Sequence, residues 1–192
     1  MHLSFQATKI YLSPLVKQLA GSARLILGLL SFLSICSIIS CSTLSPETEA
    51  LIGKPVPDGR LMLLSGDDVA LKNSSGRKQA ILFWATWCSH SRSVIASFED
   101  LARTYVSRGD TDFYAVSLDK NQDLDLLKGR IQAQDLTTVT HVFSGNDVQD
   151  EAFLALRGHH VPYSVFIDER SIIRYAGLGI SGLEELLGQE MR

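Results

Sequence analysis

Apolar positions along the chain come in two rhythms. In QAILFWAT, Gln79 to Thr86, they are almost continuous, which is the pattern of a strand covered on both faces. From Ser91 the spacing lengthens. Val94, Ile95, Phe98, Leu101 and Tyr105 recur at three- and four-residue intervals and predict an amphipathic helix of about four turns. The same alternation then repeats. TDFYAVSLD, ending at Asp119, reads as a second buried strand, QDLDLLKGRIQAQ as a helix, TTVTHVFS as a strand and DVQDEAFLALR as a helix. YSVFIDERSIIRYAG reads as two strands joined by a turn at Asp168, Glu169 and Arg170. SGLEELLGQEMR is a closing helix, with Ser181 as N-cap and Glu184 completing a capping box. Upstream, Gly53 to Asn73 carries two short apolar runs around Ser65-Gly66-Asp67-Asp68, a hairpin signal. The expected fold is α/β: a central mixed sheet with helices on both faces and an N-terminal hairpin extension.

The first forty residues follow neither rhythm. Leu25 to Ile39, LILGLLSFLSICSII, is an unbroken apolar run preceded by Lys9, Lys17 and Arg24, with no acid among them. This charged-then-apolar order is that of a secretory signal. Removing it leaves fifteen basic residues against twenty-one acidic, a net charge of −6. Nucleic acid is thereby excluded as a partner, since phosphate binding needs a basic face. Apolar residues make up 45% of the chain and charged residues 20%, enough for an ordinary core. The run ends in IISC, Ile38 to Cys41, which resembles the lipobox of bacterial lipoproteins and would make Cys41 the lipidated first residue of the mature protein. An uncleaved membrane anchor is the alternative, because Leu25 to Pro46 holds no charge and is long enough to span a bilayer. Residues 1–41 are thus expected to be a signal or anchor, 42–52 a tether and 53–192 the domain. On either reading the folded part is anchored to a membrane of the bacterial cell envelope and faces the periplasm or the exterior.

Cysteine usage sharpens this. Cys36 lies in the apolar run and Cys41 at its end, so the domain keeps one thiol, Cys88. In an oxidising compartment an odd cysteine is either reactive or intermolecular. Cys88 sits where the strand of Gln79–Thr86 gives way to the helix. The first turn of a helix offers unpaired N–H groups and the positive end of its dipole, and these stabilise a thiolate. His90 could add its imidazolium, Ser91 could donate a hydroxyl hydrogen bond to the sulfur, and Trp84 and Trp87 flank the turn with aromatic surface.

These segments resemble the TlpA/ResA-type branch of the thioredoxin superfamily. IGKPVPD is similar to that branch's opening, ILFWATWC to its strand and nucleophilic cysteine, AVSLD to its second strand, and HHVPYSVFIDERSIIRYAG to its cis-proline strand and final hairpin. The resemblance runs from Ile52 to Leu187. It implies a thioredoxin-like fold, with Cys88 as nucleophile, Trp87 as the aromatic before it, Pro162 as the cis-proline and Val161 as the residue whose backbone meets a bound peptide. His90 takes a position at which strongly oxidising relatives of the DsbA kind also carry His. Ser91 departs from the pattern, because it stands where the family has its resolving cysteine. A dithiol site attacks with one sulfur and releases with the other. With Ser91 in place only monothiol exchange remains: a mixed disulfide with an envelope protein or a small thiol, resolved from outside. No cofactor is implied.

Other readings compete at single residues. His159-His160 could suggest a metal, but two adjacent histidines without nearby cysteine ligands are a poor ligand set, and a loop presenting Pro162 is the better account. Asp119 could be catalytic, but a loop cap is preferred. A peroxidase on this fold needs a Thr three residues before the cysteine, whereas Thr86 is two before. The non-enzymatic alternative is a thioredoxin-fold binding or chaperone-like module in which Cys88 is incidental.

Overall fold

The computed structural model describes residues 46–72 and 75–189. Cys41 and the rest of the expected signal lie outside them. The sheet is built around β3 (Lys78–Trp84), the strand of the longest apolar run. Its side chains alternate between two cores, which is why the run has no polar face. Ile81 and Phe83 join Leu61, Leu71, Phe153, Tyr163 and Val165 on one side. Ala80, Leu82 and Trp84 join Ile95, Phe98, Phe113, Leu127, Leu183 and Leu187 on the other.

Described in chain order, the elements are α1 (Pro46–Glu49), the hairpin strands β1 (Arg60–Met62) and β2 (Asp68–Ala70), β3, α2 (Ser89–Tyr105), β4 (Thr111–Ser117), α3 (Leu124–Ala133), β5 (Thr140–Phe143), α4 (Glu151–Ala155), β6 (Tyr163–Ile167), β7 (Ile173–Leu178) and α5 (Ser181–Gln189). The five-stranded sheet runs β5-β4-β3-β6-β7. β4 pairs in parallel with β3 and β5, and β6 pairs antiparallel with β3 and β7. The sheet is mixed, as the sequence implied. Helices α2, α3 and α5 supply the apolar residues of one face, while α1, α4 and the hairpin cover the other. Burial of Ile95 and Phe98 from α2 contributes about 1.5–3 kcal/mol each.

Both sheet edges are covered, the usual protection against edge-to-edge association. Beside β7, the amides of Gly53 and Val56 donate to the carbonyls of Ile173 and Ser171 at 2.8 Å. Beside β5, Leu63 bridges to Val142 and the Leu64 amide donates to His141 at 2.9 Å. Within 42–52, the segment expected to be a tether, Thr48 and Leu51 are buried.

Two local readings change. Ser181 is the first residue of α5, and the Glu184 amide donates to Ile180, so the cap falls one residue earlier than the sequence suggested. The helix expected over 147–157 is a short turn at Asp147–Gln149 followed by α4, because Asp150 leaves helical geometry and accepts the Phe153 amide at 2.9 Å as a new N-cap. Among the described residues no helix is long and apolar enough to cross a membrane.

Candidate active site

At the end of β3 the chain makes a tight connection into α2, and Asp119 anchors it. Its carboxylate, fully buried at the end of β4, accepts the Thr86 amide at 3.1 Å, the Thr86 hydroxyl at 2.7 Å and the Ser117 hydroxyl at 2.6 Å. Asp119 is thus a cap that holds two neighbouring strand ends together. Thr86 spends its hydroxyl on this contact, so it offers that group to nothing at Cys88.

Cys88 is the N-cap of α2, with φ −92° and ψ 115°. Its sulfur accepts the Ser91 amide at 3.5 Å, the bond that a Ser or Asp oxygen makes at most helix starts. On its other side Sγ donates to the Val161 carbonyl at 3.6 Å. The Val161–Pro162 bond is cis, and Pro162 is buried. The start of β6 is fixed by Tyr163, whose hydroxyl donates to Leu156 at 2.8 Å, and by the Gly179 amide, which donates to Pro162 at 2.9 Å.

Burial pushes the Cys88 thiol up, but the opposing groups prevail and hold it below its ordinary value. They are the Ser91 hydroxyl, the amides of Ser91 and His90, and the charge of Arg92. Ser91 is fully buried and its hydroxyl has no hydrogen-bond partner in the thiol state, so the ionised sulfur is the acceptor that suits it. His90 contributes through its backbone. Its ring stands exposed on the wall of a groove of about 480 Å³ that also takes in Val94, His160, Val161, Pro162 and Leu178.

The two tryptophans part company. Trp87 is 56% exposed beside the sulfur, with Nε1 donating to the Leu118 carbonyl at 3.3 Å. Trp84 is wholly buried under α2, so it offers no surface to a substrate. The correction has a simple cause: β3 ends at Trp84, and only the residues after it emerge from the layers. His159 and His160 meet edge to face at 4.7 Å, and His159 Nδ1 bonds the Arg157 carbonyl at 3.1 Å. Among the described residues no group of three or more His, Cys, Asp or Glu side chains is placed to hold a metal.

Arg92 was not singled out in the sequence. It lies one turn after Cys88, and its Nη1 donates to the Thr86 carbonyl at 3.0 Å, which brings a positive charge back towards the nucleophile. The i to i+4 spacing on a helix was the available signal.

A mixed sheet with a cysteine capping the first helix after its central strand, opposite a cis-proline, is the arrangement of a thioredoxin-like fold. The chain belongs to the AhpC/TSA family, whose sequence model matches residues 52–176. Over 56 residues it is 36% identical to the thioredoxin-like protein YneN of Bacillus subtilis, a match that spans 29% of this chain and 33% of that relative. Among solved structures, a thiol-disulfide oxidoreductase from Bacteroides fragilis superposes with a TM-score of 0.63 at 17% identity, covering 71% of this chain and 99% of its own. StoA from Bacillus subtilis superposes with a TM-score of 0.56 at 20% identity, covering 70% and 98%. At such identities the structures show the shared fold.

Proposed function

We propose that the protein performs monothiol thiol-disulfide exchange through Cys88 on thiol- or disulfide-bearing proteins and small thiols of the bacterial cell envelope. The supporting observation is the pairing of a thiolate-stabilising N-cap cysteine with a buried serine one turn on. The ionised sulfur attacks a disulfide of a client, one client sulfur leaves as a thiol, and the other stays bonded to Cys88. The Val161 backbone and the adjoining groove receive the client chain, with Trp87 as apolar surface beside the sulfur. Isomerisation or reductase-like assistance needs no second sulfur on the enzyme.

Tethering rests on the sequence: the apolar run before IISC and Cys41 as its lipidation site. Mass spectrometry of the membrane-extracted protein would find a lipid-modified N-terminus at Cys41, and a mature chain retaining Met1 to Ser40 would overturn the lipoprotein reading.

The exchange reading is tested by iodoacetamide rates across pH and by acid-quenched trapping in cells. The expected results are a Cys88 pKa below the free-thiol value of about 8.5 and disulfide-linked adducts that vanish in Cys88→Ala. A pKa at or above that value, with no adducts, would leave the fold as a binding module.

A further inference from the structure

We propose that the groove beside the cis-proline loop selects protein segments that carry a basic side chain close to an apolar one, with Glu184 receiving the basic group and Leu178 the apolar one. This rests on the reading above that the groove receives the client chain, and it adds what that client carries.

Three elements build the groove. Val94 comes from α2, Val161 and Pro162 from the loop before β6, and Leu178 and Glu184 from the corner where β7 passes into α5. The corner is tied to the cis-proline loop. Gly179 turns the chain with φ 67°, a left-handed value that favours glycine, and its amide donates to the Pro162 carbonyl at 2.9 Å. The Gly179 carbonyl accepts the Ser164 hydroxyl from β6. Leu178 and Glu184 therefore flank a fixed point of the wall.

Both side chains are exposed. Leu178 is 62% exposed, although Ala176 of the same strand is fully buried. A single exposed leucine is ordinary, but this one extends a wall that already holds Val94, Val161 and Pro162. The Glu184 carboxylate has no hydrogen bond or ion pair among the described residues. It is the only carboxylate among the described residues lining the groove, and none of them is Lys or Arg. A cation that enters meets attraction without a competing base, and an anion meets repulsion. The fifteen basic and twenty-one acidic residues after the expected signal add a field of the same sign, which draws basic segments in. Lysine and arginine fit both ends of this wall, because their stems lie along apolar surface while the charged head reaches a polar partner.

The test uses the folded full-length protein, reduced and in detergent, with short peptides that contain no cysteine. Serine stands for the client cysteine, leucine lies beside it, and one Lys, Gln or Glu is walked along the other positions. Binding is read by calorimetry. At a favoured position the Lys peptide should bind about threefold tighter than the Gln peptide, the size of one exposed ion pair, and the difference should shrink with added salt. The Glu peptide should bind more weakly than either. Glu184→Gln should level the three, Glu184→Lys should reverse their order, and Leu178→Ser should weaken all of them. Equal binding of the three peptides at every position, or an order that survives Glu184→Lys, would overturn the proposal and leave exchange through Cys88 standing. No binding by any peptide would overturn it together with the groove as the client site.

Discussion

The amide of Ser91 is hydrogen-bonded to Cys88 Sγ at 3.5 Å, while the hydroxyl of the same residue is fully buried and has no partner. The serine therefore holds the nucleophile through its backbone whatever its side chain, and its hydroxyl is the separable part. Ser91→Ala should keep the amide contact and remove only the hydroxyl. The Cys88 pKa should rise, and iodoacetamide rates at neutral pH should fall accordingly. An unchanged pH profile would show that the hydroxyl serves packing alone.

Arg92 acts from the next turn. Arg92→Gln keeps a donor for the Thr86 carbonyl but removes the charge, so the Cys88 pKa should rise and lose part of its dependence on salt. Arg92→Lys should recover most of the shift. If Gln and Lys behave alike, the residue only braces the loop.

Asp119 should matter for stability before it matters for chemistry. Asp119→Ala strands the Thr86 amide, the Thr86 hydroxyl and the Ser117 hydroxyl in a buried place. A loss of about 3 kcal/mol in denaturant unfolding is expected, since one unsatisfied buried group costs about 1–3 kcal/mol. A loss below about 1 kcal/mol would mean that water replaces the carboxylate.

Glu99 carries a pH dependence far from the sulfur. Burial pushes its carboxyl up, but hydrogen bonds from the Thr138 side chain and from the amides of Val139, Thr138 and Thr137 overcome that and hold it below its usual value. A depressed carboxylate stabilises the fold above its unfolded pKa, about 4.3, and that contribution is lost as pH falls through the folded value. Glu99→Gln should therefore be destabilised relative to wild type at pH 7, and the gap should close only as pH falls below about 4.3 and through the folded value. A gap that is the same at both ends would remove the charge from the explanation.

These residues also mark where the sequence was readable. The strands β3 and β4 were legible because apolar runs covered on both faces leave no other reading, and the site was legible because Cys88 follows such a run directly. Trp84 was misread because a continuous run does not show which of its residues is the last inside. Glu99 was invisible because a glutamate four residues before Arg103 on a helix reads as half of a surface ion pair, and its backbone partners lie about forty residues along the chain. Arg92 points at a carbonyl, which has no side-chain signature. The attachment of Gly53 and Val56 to β7 is likewise made by backbone groups that every sequence possesses.

Restoring a thiol at position 91 tests the whole account. The backbone of residue 91 already touches Sγ, and one helical turn separates the two residues, so Ser91→Cys should bring the Cβ atoms within the about 4.5 Å that a disulfide needs. Mild oxidation should then form an internal disulfide. Because the site stabilises the thiolate at Cys88, it stabilises the reduced form, and the pair should be relatively oxidising. The variant should exchange with a model dithiol through two steps, whereas wild type stops at mixed adducts and Cys88→Ala makes neither. If the folded variant forms no internal disulfide, the geometry at Cys88 is not that of a redox pair with one member missing, and the binding-module reading takes its place.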